Sequence, residues 1–306
     1  TSLRMGRLGY QSDAQASLAV SYNNLEGYGA SLQNALTRPY PAYAKLGIFN
    51  PGGDYNQLAT SLLQIENEFY GTIRPKRVIH PGERPLHALR ERGVEYIEVR
   101  CMDLDPFVPV GITAETCRFL DVFLMHCLLA DSALDTPEEI AALARNQNRV
   151  AERGREPGLT LERNDEALPL VDWAARLLDE LAPIAVALDA AHDGNGYCAA
   201  VQAAVRSLHD VSGLPSTRVL ASIEKDAETS FARFTQTQSM KTRERLLELP
   251  CPPELQAHFA ALSRESGEAQ KRIELADTMS FEIYRQQYVS PDRLQVHRPG
   301  RGAQAA

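Results

Sequence analysis

The run Val94-Glu95-Tyr96-Ile97-Glu98-Val99-Arg100 leaves the chain little choice but an extended strand. It is β-branched and aromatic and contains no Gly or Pro. Alternate side chains of a strand share a face, so Tyr96, Glu98 and Arg100 fall on one side and Glu95, Ile97 and Val99 on the other. A carboxylate two residues from a guanidinium on one face suits a metal–phosphate site. The carboxylate can hold Mg²⁺ through oxygen, and the guanidinium can fork onto phosphate oxygens. An exposed cross-strand ion pair fits the same pattern.

The segment Leu62–Tyr70 alternates in the same way and predicts a second strand. Gln64, Glu66, Glu68 and Tyr70 would share one face, and Leu63, Ile65, Asn67 and Phe69 the other. An all-polar face with two carboxylates suits a surface that lines water or a ligand. Arg74, Lys76 and Arg77 follow directly. Such a basic corner fits anionic phosphates beside a divalent metal, or a solvated hairpin of mixed charge.

At these residues the sequence resembles glutamate–cysteine ligase of the gamma-proteobacterial type. The matching motifs are Thr1-Ser2-Leu3-Arg4-Met5 with Leu8-Gly9-Tyr10, then Leu63–Tyr70, Ile73–Arg77, Glu95–Arg100 and Asp105-Pro106-Phe107. They continue as Asn148-Arg149-Val150, Gly154-Arg155, Pro157-Gly158-Leu159, Ala276-Asp277-Thr278 and Phe281. The series runs over nearly the whole chain, and its order makes it specific. The resemblance implies an ATP-dependent enzyme that joins the side-chain carboxylate of glutamate to the amine of cysteine through a glutamyl phosphate. That product, γ-glutamylcysteine, begins glutathione synthesis. The resemblance also implies an α+β fold: part of a glutamine-synthetase-like antiparallel sheet funnel, followed by a mostly helical region. By the same resemblance Glu98 is a Mg²⁺ ligand and Arg100 contacts the transferring phosphoryl group. Arg4 contacts bound substrate, and Tyr10 and Tyr70 line the cysteine pocket. Arg74, Lys76 and Arg77 are candidates for nucleotide phosphates. The family's chains are longer, so the expectation is that this chain corresponds to their C-terminal part, with the N-terminal half absent. The readings set against this are another carboxylate–amine ligase of the same fold, and a non-catalytic fragment lacking the other half of the site.

A net charge of −8 and a pI near 5.5 argue against nucleic acid or a membrane surface as partner. The expected partners are glutamate, cysteine and ATP, with Mg²⁺, in a cytoplasmic enzyme that is monomeric when complete. The most apolar stretch, Phe119 to Ala130, is interrupted by Asp121 and His126 and is too short to span a bilayer. Five scattered cysteines suit reduced thiols, and seven histidines show no ligand spacing for zinc. Cys101 follows Arg100, close enough to border a pocket; a small buried filler is the plainer reading.

The chain divides, on this reading, into a sheet-containing active-site portion (1–110), a helical portion packed on it (111–298) and a disordered tail (299–306). Helices are expected at Asn24–Leu36 and at Pro85–Arg92, the second ended by Gly93. Ile112–Ala130 is apolar nearly all round and predicts a buried helix. Thr136-Pro137-Glu138-Glu139 has capping-box spacing and should open a helix to about Arg153. A helix from Pro169 should kink at Pro183, and two or three more follow from Cys198, Pro215 and Pro253. Asp103 and Asp105 lie in a turn, as metal neighbours or as caps. Asn148 and Arg149 either brace the sheet or reach nucleotide phosphate.

Overall fold

The computed structural model describes residues 1–16, 18–226 and 230–295; the tail expected at 299–306 lies outside them. In chain order the elements are α1 (Leu25–Thr37), α2 (Pro41–Leu46), β1 (Ile73–Lys76), α3 (Pro85–Arg92), β2 (Tyr96–Val99), α4 (Ala114–Leu129) and α5 (Pro137–Arg153). They continue as β3 (Thr160–Arg163), β4 (Glu166–Pro169), α6 (Leu170–Ala191), α7 (Gly196–His209), α8 (Pro215–Asp226), α9 (Phe231–Glu248), α10 (Pro253–Ala276) and α11 (Phe281–Val289). The α+β class is therefore as expected. Among the described residues the sheet consists of two antiparallel ribbons, β1–β2 and β3–β4.

Several boundaries follow from local chemistry. Asn24 caps α1 by accepting from the Gly27 N–H at 2.7 Å, and Thr136 accepts from the Glu139 N–H at 3.2 Å ahead of α5. Gly93 adopts a positive φ of 76° after α3, a conformation open to a residue without Cβ. The α6 helix continues through Pro183 as one element. Beyond the helices expected from Cys198, Pro215 and Pro253 there are also α9 and α11.

The chain folds into two compact units. The first comprises Thr1–Gly9, Met102–Ala133 and Ala141–Ser263. Its core is built by α4, α6 and α7, where Val122, Leu178, Leu181, Ala185 and Val201 close on one another. The expectation that α4 is buried all round fails here. Val122 is fully covered, but Leu128 and Leu129 are 76% and 68% exposed, because α6 and α7 cover only one stripe of the helix. The β3–β4 ribbon in this unit was not expected. Asn164 and Asp165 both take positive φ (51° and 62°), the geometry of a tight two-residue hairpin turn. Arg149 donates to the Thr160 carbonyl at 3.0 Å and pairs with Glu162 at 2.9 Å, so it braces β3. Asp103 and Asp105 act in the turn: Asp103 accepts from the Arg4 N–H and the Ser2 hydroxyl, and Asp105 from the Phe107 N–H.

The second unit comprises Tyr10–Cys101, Leu134–Ile140 and residues 264–295. Its core joins Tyr28, Leu32, Ala35 and Leu36 of α1 to Leu86 and Leu89 of α3, with Val20, Leu63, Phe69 and Leu294. Here the strand expected at Leu62–Tyr70 does not form. Ile65 is extended, but Glu66–Glu68 closes a 3₁₀ turn. Side-chain bonds replace the strand ladder: Glu68 accepts from the Gln64 N–H at 2.7 Å, and Gln64 from the Leu58 N–H at 2.5 Å. The Glu66 carboxylate points inward to Arg84, which donates from Nε (3.1 and 3.0 Å) and Nη2 (2.8 Å). Arg84 is 2% exposed and Glu66 8%. The same carboxylate accepts from the Leu86 N–H in the first turn of α3, and Arg84 Nη1 donates to the Tyr288 carbonyl at 2.6 Å.

Removing one partner of such a pair strands a buried charge, so Glu66→Ala should cost about 3–5 kcal/mol in urea unfolding. A loss below about 1 kcal/mol would place the pair among surface-like interactions. Acid should also loosen this unit. Bonds from Arg92 to Glu83, and from Arg285, Gln286 and Tyr55 to Glu282, hold both carboxyls at about 2, below the ordinary 4.5. Their contribution is complete above the ordinary value and is lost as pH falls through it towards about 2. The urea midpoint should drop across that window, and Glu282→Gln should flatten the slope.

Candidate functional site

The β1–β2 ribbon places the charged residues. Its register sets Arg74 opposite Glu98 and Lys76 opposite Tyr96, so these four share one face. Diagonal contact brings Lys76 Nζ to 3.1 Å from Glu98 Oε2. Arg100 continues the same side just past the strand, its Nε 3.7 Å from Glu98 Oε1. The ribbon ends there: the Arg100 N–H donates to the Thr72 carbonyl, and buried Cys101 takes a left-handed φ of 65°. Burial pushes the Glu98 carboxyl up, but the Lys76 bond and the charges of Lys76, Arg100 and Arg74 outweigh it and hold it below the usual range.

Aromatic rings complete this side. Arg100 lies over the Tyr10 ring at 5.2 Å, and the Tyr10 and Tyr70 rings are 4.2 Å apart between centroids. The result is a row of Glu98, Arg100, Tyr10 and Tyr70 within one compact unit. The opposite face of the ribbon differs in kind. Ile73, Pro75 and Ile97 line an apolar cavity of about 220 Å³ with Tyr22, Leu25 and Tyr28.

The basic corner splits into different roles. Arg74 is buried, and its Nη2 donates to the carbonyls of Asn67 (2.9 Å) and Phe69, with Tyr10 Oη at 3.4 Å. Lys76 is paired with Glu98, and Arg77 lies 3.5 Å from Glu95. Arg4 belongs to the first unit, where its backbone N–H donates to Asp103 at 2.9 Å and its side chain is exposed. Glu66 and Glu68, expected on a ligand-facing strand, instead turn to Arg84 and to the Gln64 backbone.

For a divalent cation Glu98 can offer carboxylate oxygen, and Mg²⁺ is commonly held by one or two carboxylates together with substrate phosphates. The donor set fits that partial role. Glu83, His87 and Glu91 also bring ligand atoms within 4.8 Å of one another. Arg92, however, holds both oxygens of Glu83 at 2.7 Å. The i, i+4, i+8 spacing of that cluster was legible in the sequence. The Gln15 side chain, which touches the backbone on both sides of Phe69, had no signal there.

The ribbon and its acid–arginine pair give this α+β protein a charged, aromatic-walled candidate site on two antiparallel strands joined through α3. Residues 1–150 match the family described as glutamate-cysteine ligase, and over them the chain belongs to that family. The glutamate–cysteine ligase of Pseudomonas fluorescens is 43% identical over 284 residues, covering 93% of this chain and 53% of its own length. That of Azotobacter vinelandii is 44% identical with the same coverage. The crystal structure of glutamate–cysteine ligase from Francisella tularensis in complex with AMP superposes with a TM-score of 0.86 at 34% identity. It matches over 94% of this chain and 56% of its own. The chain thus spans about half the length of the curated relatives it matches. Among the described residues no helix is long and apolar enough to cross a membrane.

If Lys76 is what keeps the Glu98 carboxyl low, Lys76→Met should raise its pKa, since burial then acts against less opposing charge. Carbon-detected NMR titration of the glutamate carboxyls reads this directly; an unmoved Glu98 curve would remove Lys76 as the cause.

Proposed function

We propose that this chain carries part of the active site of an ATP-dependent ligase that joins glutamate to cysteine in the cytoplasm. The observation that carries the reading is the row formed by Glu98, Arg100, Tyr10 and Tyr70. An acid, a guanidinium and an aromatic wall stand side by side in the order that phosphoryl transfer followed by amine capture needs. The family match and the AMP in the Francisella structure support a nucleotide at such a site.

In the first step an oxygen of the glutamate side-chain carboxylate attacks the γ-phosphorus of ATP, and ADP leaves. Arg100 meets the charge that grows on the transferring phosphoryl group. Glu98 is the ligand this chain offers to Mg²⁺, which when bound neutralises phosphate charge. In the second step the cysteine amine attacks the acyl carbon, the C–O bond to phosphate breaks, and the amine gives up a proton. Tyr10 and Tyr70 hold the small acceptor between aromatic surface and hydroxyl groups. Alignment rather than covalent chemistry by the protein supplies most of the acceleration. Of the three basic-corner residues, Lys76, beside Glu98, is the one this reading gives to nucleotide phosphates, while Arg77 pairs with Glu95. Arg74, enclosed among backbone carbonyls, supports the turn beneath.

The test is glutamate-dependent formation of ADP and γ-glutamylcysteine, by this chain alone and mixed with a polypeptide equivalent to the remaining half of a relative. Where turnover appears, Arg100→Ala should lower it by about two orders of magnitude or more with little change in stability. Retention within about threefold would remove Arg100 from phosphoryl transfer. Glu98→Gln should raise the Mg²⁺ concentration needed for half-maximal rate, and an unchanged metal titration would argue against ligation.

A further inference from the structure

We propose that Gln15 is a positioning residue that fixes the acceptor wall by pinning Tyr70 against Tyr10; this rests on the two tyrosines forming that wall. Gln15 Nε2 donates to the Glu68 carbonyl at 2.8 Å, and Gln15 Oε1 accepts from the Tyr70 N–H at 3.1 Å. A primary amide is suited to this, because it offers one donor and one acceptor to a peptide carbonyl and a peptide N–H. From elsewhere in the unit Arg74 holds the carbonyls of Asn67 and Phe69. The backbone at 67–70 is therefore gripped by two side chains.

Tyr70 needs such a grip. The residue is 40% exposed, so packing alone does not fix it. Tyr10 and Gln15 belong to one short segment, with Asp13–Gln15 a 3₁₀ turn. The chain from Tyr10 to Gln15, the two hydrogen bonds to 68 and 70, and the ring contact at 4.2 Å close a small loop. That loop ties the spacing of the two rings to Gln15, in addition to the place of Phe69 in the core. The 3₁₀ turn buries none of its residues, so Gln15 contributes to ring placement more than to folding.

The experiment pairs two readouts on Gln15→Ala, with Gln15→Glu alongside. Gln15→Glu keeps the acceptor for the Tyr70 N–H but sets a carboxylate against the Glu68 carbonyl. The first readout needs no activity. In tyrosine-labelled protein the wild type should show a ring-to-ring nuclear Overhauser effect between Tyr10 and Tyr70. Gln15→Ala should lose it while the α-helical circular dichroism stays unchanged. The second is kinetic, in an active preparation. The KM for cysteine should rise about tenfold, with KM for ATP and glutamate and kcat within about twofold. Equal rises for all substrates, or a wild-type KM for cysteine, would overturn the proposal. So would a ring-to-ring effect that persists in Gln15→Ala. If the wild-type chain gives no glutamate-dependent turnover even when mixed with the remaining half of a relative, the ligase reading has failed, and the ring contact alone then decides whether Gln15 is the clamp.

Discussion

A carboxylate buried inside a small core has to be met by a cation, and in this chain Glu66 is met by Arg84. The consequences spread through the second unit. The pair ties the 66–68 turn to the first turn of α3 through the Leu86 N–H, and to Tyr288 through its carbonyl. Burial makes the arrangement specific rather than strongly stabilising, since desolvation offsets much of the attraction. Its effect is to forbid alternatives. If residues 62–70 ran as a strand with Glu66 facing out, Arg84 would be left alone among Tyr288 and the α3 core. With the turn fixed, Phe69 enters the core and Tyr70 emerges beside it, next to Tyr10.

The ribbon solves a different problem. Two short strands have little hydrophobic area of their own; one face lines an apolar cavity together with α1, with Ile97 still 44% exposed, while the other bears charge. On the charged face Glu98 stands between Lys76 and Arg100, which favour its ionised form against the cost of partial burial. Such pairs contribute little to stability where water reaches them. What they supply is a carboxylate held in its ionised form next to a guanidinium at a defined spacing. Arg100 in addition rests on the Tyr10 ring, so the charged row and the aromatic wall share one contact.

Much of this was legible along the chain, and the exceptions share a cause. The alternation in Val94–Arg100 marked a strand and put Glu98 and Arg100 on one side, because the period of two is enforced by backbone geometry. The Asn24, Pro85, Gly93, Thr136 and Pro253 boundaries were visible, because capping and proline act locally. Leu62–Tyr70 alternates equally well yet is not a strand. Its outcome depended on Arg84, eighteen residues away, and on side-chain bonds within 58–68. The Asn164-Asp165 hairpin was written in its turn residues but obscured by the helical sequence around it. The apolar all-round pattern of α4 could not say which stripe α6 and α7 would cover.

The sequence by itself determined the period of each segment, the ends of its helices and the motif series shared with glutamate–cysteine ligases, since all of these rest on neighbours in the chain. Only the tertiary structure decided which carboxylates turn inward and which stay at the surface. Glu66 and Glu98 look alike in sequence, each following an isoleucine in an alternating segment. One is drawn inward by a buried arginine and the other held at the surface by Lys76 and Arg100. The reason is that the free energy of a charge depends on the groups folding brings within a few ångströms of it, and no local pattern records them.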